Sequence, residues 1–367
     1  MTRRIVLGGV LCCLVWSASC GVDAADRGPS FAPLDPEATL TPQTLLSLIH
    51  TPEVHRELKI SDSAFAAFQP TLREIDGPWW RVRIRGGAEQ RAVTARQETL
   101  LVEAIRQRFG VDALRRLRQI ELQAQGYRCL VRPEVKDFLK LSSSQVAELT
   151  RVFTETDALA AKANPRPGKE DADAKVAWQQ ARLKESETAR ESLSTDQRRR
   201  LNQLVGDVFD TSKLTRVYPL APELVDSDTW VGRKVKLGDL KGRVVLLHFY
   251  AFQCHNCHAN FPIYNRWQKE LTSQGVSIIG IQTPETANER DFSSVASAAQ
   301  RAGFEFPVLV DLKSENWDAW SNTMWPTVYV IDKRGFIRMW WQGELKWQGA
   351  TADDRIEQLV EKLLQEP

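Results

Sequence analysis

Two cysteines stand three apart in Cys254-His255-Asn256-Cys257, between an apolar run from Val244 to Ala251 and an amphipathic stretch from Phe261 to Ser273. Cysteines at i and i+3 on a first helical turn share a face and can bridge. The helix N-terminus favours a thiolate, so Cys254 is expected to ionise below the free-thiol value of about 8.5. Thiolate attack on a disulfide, then resolution by a second thiol, is disulfide exchange. Cys254 is the expected attacking thiol, and Cys257, one turn deeper, the resolving one. His248, if buried beneath the pair, would accept the Cys257 proton, because an imidazole titrates near neutral pH. A hydrogen-bonded core histidine is the alternative. His255 would lie beside the nucleophile, facing substrate.

The elements around this motif read as α/β. Val276 to Ile281, Pro307 to Asp311, Thr327 to Ile331 and Ile337 to Trp341 are further strands, and Glu289 to Ala302 and Thr351 to Gln365 are helices. Strands alternating with helices imply a sheet flanked by crossover helices.

This half resembles the thioredoxin-like superfamily, and within it the TlpA/ResA type of exported thiol-disulfide oxidoreductases. The resemblance rests on Asp239 to Cys257, Phe261-Pro262, Gly275 to Gly280, Trp325-Pro326-Thr327 and Ile331 to Gly335. It implies a mixed sheet flanked by helices over residues 215–367. It also implies a cis proline at Pro326 facing the dithiol, with the Trp325 backbone free to pair with a substrate chain. No cofactor beyond the Cys254–Cys257 disulfide is implied. Partners would be protein thiols or disulfides, with an upstream electron donor or acceptor. The sequence departs from the pattern at three positions: Gln253 stands where Trp is usual, His248 where thioredoxin has Asp, and Asn260 where ResA-type proteins have Glu. Both directions of electron flow remain open.

Rival chemistries are weaker. Cys254 to His258 is formally a C-x-x-C-H haem-attachment motif, yet strands flank it, and Met324 and Met339 fall within predicted sheet elements. A peroxiredoxin-like peroxidase would carry Thr where Ala251 stands. Copper delivery of the Sco type needs a C-x-x-x-C and a downstream histidine, and no histidine follows His258. A non-catalytic surface binding protein using the fold as scaffold is a further alternative.

Residues 42–214 carry helical periodicity, as in Leu100, Leu101, Ala104, Ile105 and Phe109. A repeat offset by 81 residues matches Thr51–Asp76 to Arg132–Asp157, with ten of 26 positions identical. Ser61 and Ser142 are the expected N-caps, and Leu193-Ser-Thr-Asp-Gln197 has a similar form. These starts resemble the LTxxQ motif of the Spy/CpxP family of periplasmic helical proteins. Residues 71–132 hold thirteen arginines against seven acidic residues. They are expected on solvated helix faces, with Trp79-Trp80 and Arg81, Arg83 and Arg85 as a docking surface, strand or loop. The partner of this helical domain is unknown.

The chain has 367 residues, 43% hydrophobic and 26% charged, with a formal net charge of +2. That composition is globular and fits about two domains. Such charge balance, and arginines scattered rather than grouped on one face, argue against nucleic acid. Met1 to Ala25 reads as an export signal: Arg3 and Arg4, then an apolar stretch from Ile5 to Trp16 too short to span a bilayer. Ser17-Ala18-Ser19-Cys20 resembles a lipobox, which would leave Cys20 lipidated; cleavage near Ala24 or Ala25 is the other route. Residues 26–41 would be a flexible tether. The expected location is the periplasm or its membrane surface, reached only through a lipid anchor. Cys129 is expected to be a buried thiol, an intermolecular disulfide or a redox relay. Trp317, Trp320, Trp325, Trp340, Trp341 and Trp347 are expected as core and rim packing. Residues 215–367 are expected to fold alone.

Overall fold

The computed structural model describes residues 40–83, 85, 87–163, 172–214, 218–225 and 228–366. The export signal, Cys20 and all but the end of the tether lie outside the described residues.

The N-terminal half is helical: α1 (Leu45–Leu48), α2 (Pro52–Glu57), α3 (Asp62–Arg81), α4 (Gly87–Gln125), α5 (Pro133–Leu139), α6 (Ser143–Ala163), α7 (Ala172–Ser192) and α8 (Thr195–Val205). The two sequence copies have the same local structure. In each, a short helix opening on proline (α2, α5) ends near a left-handed lysine, Lys59 or Lys140. A serine then precedes the longer helix (α3, α6), Ser61 accepting from Ala64 N and Ser142 from Gln145 N. Ser194 and Gln197 make a full capping box for α8. The Gln145 and Gln197 side-chain amides bond each other reciprocally, at 2.9 and 3.2 Å. Two helix starts are thereby held together.

Several expectations for this half need correcting. α3 runs through Gly77-Pro78 to Arg81, although the pair reads as a breaker. The loss of one helix hydrogen bond at a proline is offset by the buried stripe of Phe68, Leu72, Ile75 and Trp80. Leu100 is exposed while Leu101 and Ile105 are fully buried, so the apolar face of α4 is narrower than the pattern suggested. Seven of the thirteen arginines, among them Arg73, Arg96, Arg106 and Arg115, are exposed as expected, but others are internal struts. Arg132 and Arg118 bond the buried Glu121, Arg128 pairs with Asp157 and Glu185, and Arg116 reaches Glu57. Trp79-Trp80 is the last turn of a helix and no docking surface, and Trp80 is buried.

The C-terminal half contains β1 (Trp230–Val231), β2 (Val244–Tyr250), α9 (His255–Leu271), β3 (Val276–Gln282), α10 (Phe292–Arg301), β4 (Val308–Val310), α11 (Glu315–Ala319), β5 (Thr327–Ile331), β6 (Ile337–Gln342) and α12 (Ala352–Gln365). The sheet order is β1-β4-β3-β2-β5-β6. β2, β3 and β4 run parallel, while β5 and β6 are antiparallel to their neighbours. Strands buried on both sides read as continuous apolar runs, and all seven residues of β2 and of β3 are buried. Alternation sorts them between two cores. Val244, Leu246 and Tyr250 face α9 and α12, with Trp267, Ile356 and Val360. Val245, Leu247 and Phe249 face the other way, toward Trp320, Leu224 and Leu240. Met324 lies ahead of β5 in a loop, not within the sheet. Trp347 is exposed, whereas Trp320 is fully buried.

The halves share cores. Trp80 belongs to the second sheet core, and Phe336 and Leu220 belong to the core built by Leu45, Leu72 and Leu101. Arg334 Nη2 donates to the His50 carbonyl at 2.9 Å, and His50 pairs with the buried Asp76 at 3.0 Å.

Candidate functional site

β2 delivers the chain to Ala251, and Cys254 occupies the N-cap position of α9. Cys254 N–H donates to Ala251 O at 3.3 Å, and Cys257 N–H to Cys254 O at 3.1 Å. Both thiols are free. Cys254 is 9% exposed and Cys257 fully buried beneath it. Their acidities diverge. A hydrogen bond from the Cys257 thiol, aided by backbone N–H groups of the first turn, pulls Cys254 below its ordinary value. Burial, followed by that same hydrogen bond, pushes Cys257 far up.

The turn ahead of Cys254 is anchored by Glu289, a fully buried carboxylate. Its Oε1 accepts from Gln253 N–H at 2.7 Å, and its Oε2 from Glu285 N–H at 2.7 Å and Thr286 N–H at 2.8 Å. The Thr286 hydroxyl donates to Gln253 Oε1 at 2.6 Å, so the residue standing in place of the usual Trp ties two loops together. The Thr286-x-x-Glu289 spacing is a capping-box pattern, the signal that could have picked out Glu289 from sequence. The exposed Glu285 carboxylate raises both thiols.

Asn260, one turn after Cys257, works as a clip. Its Nδ2 donates to Tyr264 Oη and Gly343 O, both at 3.2 Å, and its Oδ1 accepts from Leu345 N–H at 2.9 Å. Tyr250 and Tyr264 are buried phenols, raised first by burial and then by the charge of Cys257. Sequence reasoning missed both, because buried Tyr in a strand or helix carries no distinguishing spacing.

His248 is buried on β2 with its ring stacked on Tyr264, centroids 4.0 Å apart, and with Phe306 edge-on at 5.2 Å. Its Nε2 has no hydrogen-bond partner. Burial lowers its pKa to about 3. The ring is therefore neutral, and also a weak base. Gly280 stands opposite on β3. A Cβ there would lie 3.3 Å from His248 Nε2 and 3.2 Å from Val308 Cγ2, so the imidazole occupies room that glycine leaves.

The Trp325–Pro326 peptide is cis. Thr327 pairs with Phe249 across β5 and β2, which brings Pro326 to the sheet end from which the dithiol turn emerges. Trp325 packs against the core cluster that contains both cysteines and stacks on Trp317 at 4.1 Å. His255 is exposed on the first turn of α9. His258 Nε2 contacts Phe252 O at 2.7 Å. Cys129 is far in sequence, in the core of the second helical copy, and burial pushes its thiol up to about 12. Among the described residues, no group of three His, Cys, Asp or Glu side chains is arranged for a metal ion, and no helix is long and apolar enough to cross a membrane.

These features define a redoxin-type thioredoxin-like domain. Residues 219–339 match the AhpC/TSA family model. The chain is 30% identical over 130 residues to the thiol-disulfide oxidoreductase ResA of Geobacillus kaustophilus, covering 35% of this chain and 71% of that protein. It belongs to the ResA-type thiol-disulfide oxidoreductases. It is also 33% identical over 122 residues to protein DipZ of Mycobacterium tuberculosis, across 32% of this chain but only 18% of DipZ's length. Among solved structures, a putative thiol:disulfide interchange protein DsbE from Chlorobium tepidum is similar at 23% identity and a TM-score of 0.33, covering 40% of this chain and 95% of that one.

Proposed function

We propose that this protein exchanges disulfides with protein substrates through Cys254 and Cys257, outside the cytoplasm. The observation that carries the reading is the opposed character of two adjacent thiols, one at a helix N-terminus with its pKa lowered, one buried with its pKa raised. The Cys254 thiolate attacks a substrate disulfide. A mixed disulfide forms and the substrate's other sulfur leaves as a thiolate, which takes up a proton. Cys257 then loses its proton and attacks Cys254 sulfur, releasing the second substrate thiolate. Two electrons pass to the substrate, and the protein ends with a Cys254–Cys257 disulfide. The reverse sequence oxidises a substrate dithiol.

His248 is a weak acceptor for the Cys257 proton, because burial lowers its pKa to about 3. His248 then fills space beneath Tyr264. Trp325 presents its backbone to the substrate chain, and His255 flanks the entry. Export, and lipid attachment at Cys20, complete the proposal.

The testing experiment is thiol labelling with a redox titration. Iodoacetamide should modify Cys254 well before Cys257 in the reduced protein, and the pair should titrate as one two-electron couple. Labelling of Cys257 first would invert the roles. Peroxide reduction is a second reading, favoured by the AhpC/TSA match. The methyl group of Ala251 offers a peroxide no hydrogen bond, and hydrogen peroxide consumption at rates matching insulin reduction would establish it.

A further inference from the structure

Arg83 follows α3, in the helical half, yet most of its guanidinium's hydrogen bonds reach the other half. Nη1 donates to Trp80 O at 3.0 Å. Nη2 donates to Trp320 O at 3.2 Å, Ser321 O at 3.1 Å and Tyr329 Oη at 3.0 Å. The guanidinium carbon lies 4.0 Å from the centroid of the Trp80 ring and 5.6 Å from that of Trp340. Trp80 Nε1 donates to the same Trp320 carbonyl at 3.3 Å. The Tyr329 hydroxyl passes the connection on to Asn322 Oδ1 at 2.6 Å.

No carboxylate pairs with Arg83 among the described residues. A largely buried cation without a counter-ion is costly unless hydrogen bonds satisfy it. Here carbonyl oxygens, one hydroxyl and two indole faces do so for Nη1 and Nη2, while the buried Nε has no partner among the described residues. An apolar side chain would pack the same junction without that cost. What the guanidinium adds is direction: Nη2 holds two successive carbonyls, Trp320 and Ser321, the latter at a left-handed φ of 51°, while Nη1 ties the same group to Trp80 O at the end of α3. Those carbonyls open the segment Asn322–Pro326, which ends on the peptide beside the dithiol turn.

We infer that Arg83 is a positioning residue, by which the helical half fixes the Asn322–Pro326 segment against which a substrate chain pairs. The inference rests on the dithiol-exchange reading. It gives the helical region a task in that reaction: holding one wall of the substrate cleft from behind. A small disulfide, which reaches Cys254 without pairing along the segment, is insensitive to that wall. A polypeptide is not.

The test uses the full chain and two substrates, insulin and the small aromatic disulfide dithiobisnitrobenzoate. Arg83→Met should raise KM for insulin about ten-fold with kcat changed by under about two-fold. The rate with the small disulfide should change by under about two-fold. Arg83→Lys keeps the charge but loses the fork, and should recover only part of the insulin KM. Amide exchange over 321–327 should quicken in Arg83→Met while that of α9 does not. Equal losses with both substrates, or an unchanged insulin KM in a folded variant, would overturn the inference. If Arg83→Met does not fold, Tyr329→Phe, which removes one acceptor and the link to Asn322, must show the same selective KM rise at smaller amplitude; no rise overturns it. Exchange that survives Cys254→Ser would instead sink the dithiol reading, and is scored before any Arg83 variant.

Discussion

The two faces of the central sheet are closed by different means. On the dithiol face, α9 and α12 bring Cys257, Tyr264, Trp267, Ile356 and Val360 onto β2 and β3, all from one continuous stretch of chain. On the opposite face the local helix, α11, has only five residues. That face is completed by Trp320, Leu224, Leu240 and by Trp80, whose indole bonds a carbonyl 240 residues away. The chemistry is locally encoded, while the face behind it is borrowed. A redox domain with a self-sufficient catalytic face can therefore become dependent on a neighbouring region through its back.

Substitutions on the two faces should separate cleanly. The largest effect belongs to the dithiol face: Cys254→Ser should abolish insulin reduction, and Cys257→Ser should accumulate mixed disulfides visible on non-reducing gels. Next is Trp80→Ala, which should cost about 3–5 kcal/mol, as for a large buried aromatic truncated to a methyl. Because Trp80 belongs to both halves, helical circular dichroism and Trp320 fluorescence should fall together in denaturant; two separated transitions would break the comparison. A fragment of residues 215–367 lacks this cover and should show the same deficit. Smaller still is a pH effect in the helical half. Burial, then the charge of Glu121, pushes Glu98 up to about 8. It is held neutral in the folded chain, so its contribution is complete below the ordinary carboxyl range and is lost as pH rises through about 8. Glu98→Gln should flatten the decline of Tm over that window, and an unaltered slope would remove Glu98 from the account. The smallest effect is Gln145→Ala, about 1 kcal/mol from one cap and one shared amide bond, read by thermal melting.

What was legible in the sequence is what is local. The dithiol turn, the strand before it, the Pro326 turn and the serine starts of α3, α6 and α8 are each set by a few adjacent residues. What was not legible depends on partners distant in the chain. Arg83, Arg118 and Arg132 look like surface charge until their acceptors are brought to them. Trp80 gives no sign in its neighbours that it belongs to a sheet. His248 was correctly singled out as buried, but its environment is Tyr264, Phe306 and the missing side chain of Gly280, none of which periodicity reveals. Glu289 is legible through its Thr-x-x-Glu spacing, though that spacing alone does not say that its carboxylate ties the dithiol turn to the following loop.

The absence of a side chain at Gly280 has a consequence for substitution. Residues 248 and 280 face each other across two paired strands and share one small volume. An alanine at 280 would crowd the ring, but it would crowd Val308 and Phe306 just as closely. A smaller group at 248 relieves only one of these three contacts. The glycine is therefore held in place by a packing seam of three side chains, and replacing His248 alone should not make room for alanine at 280.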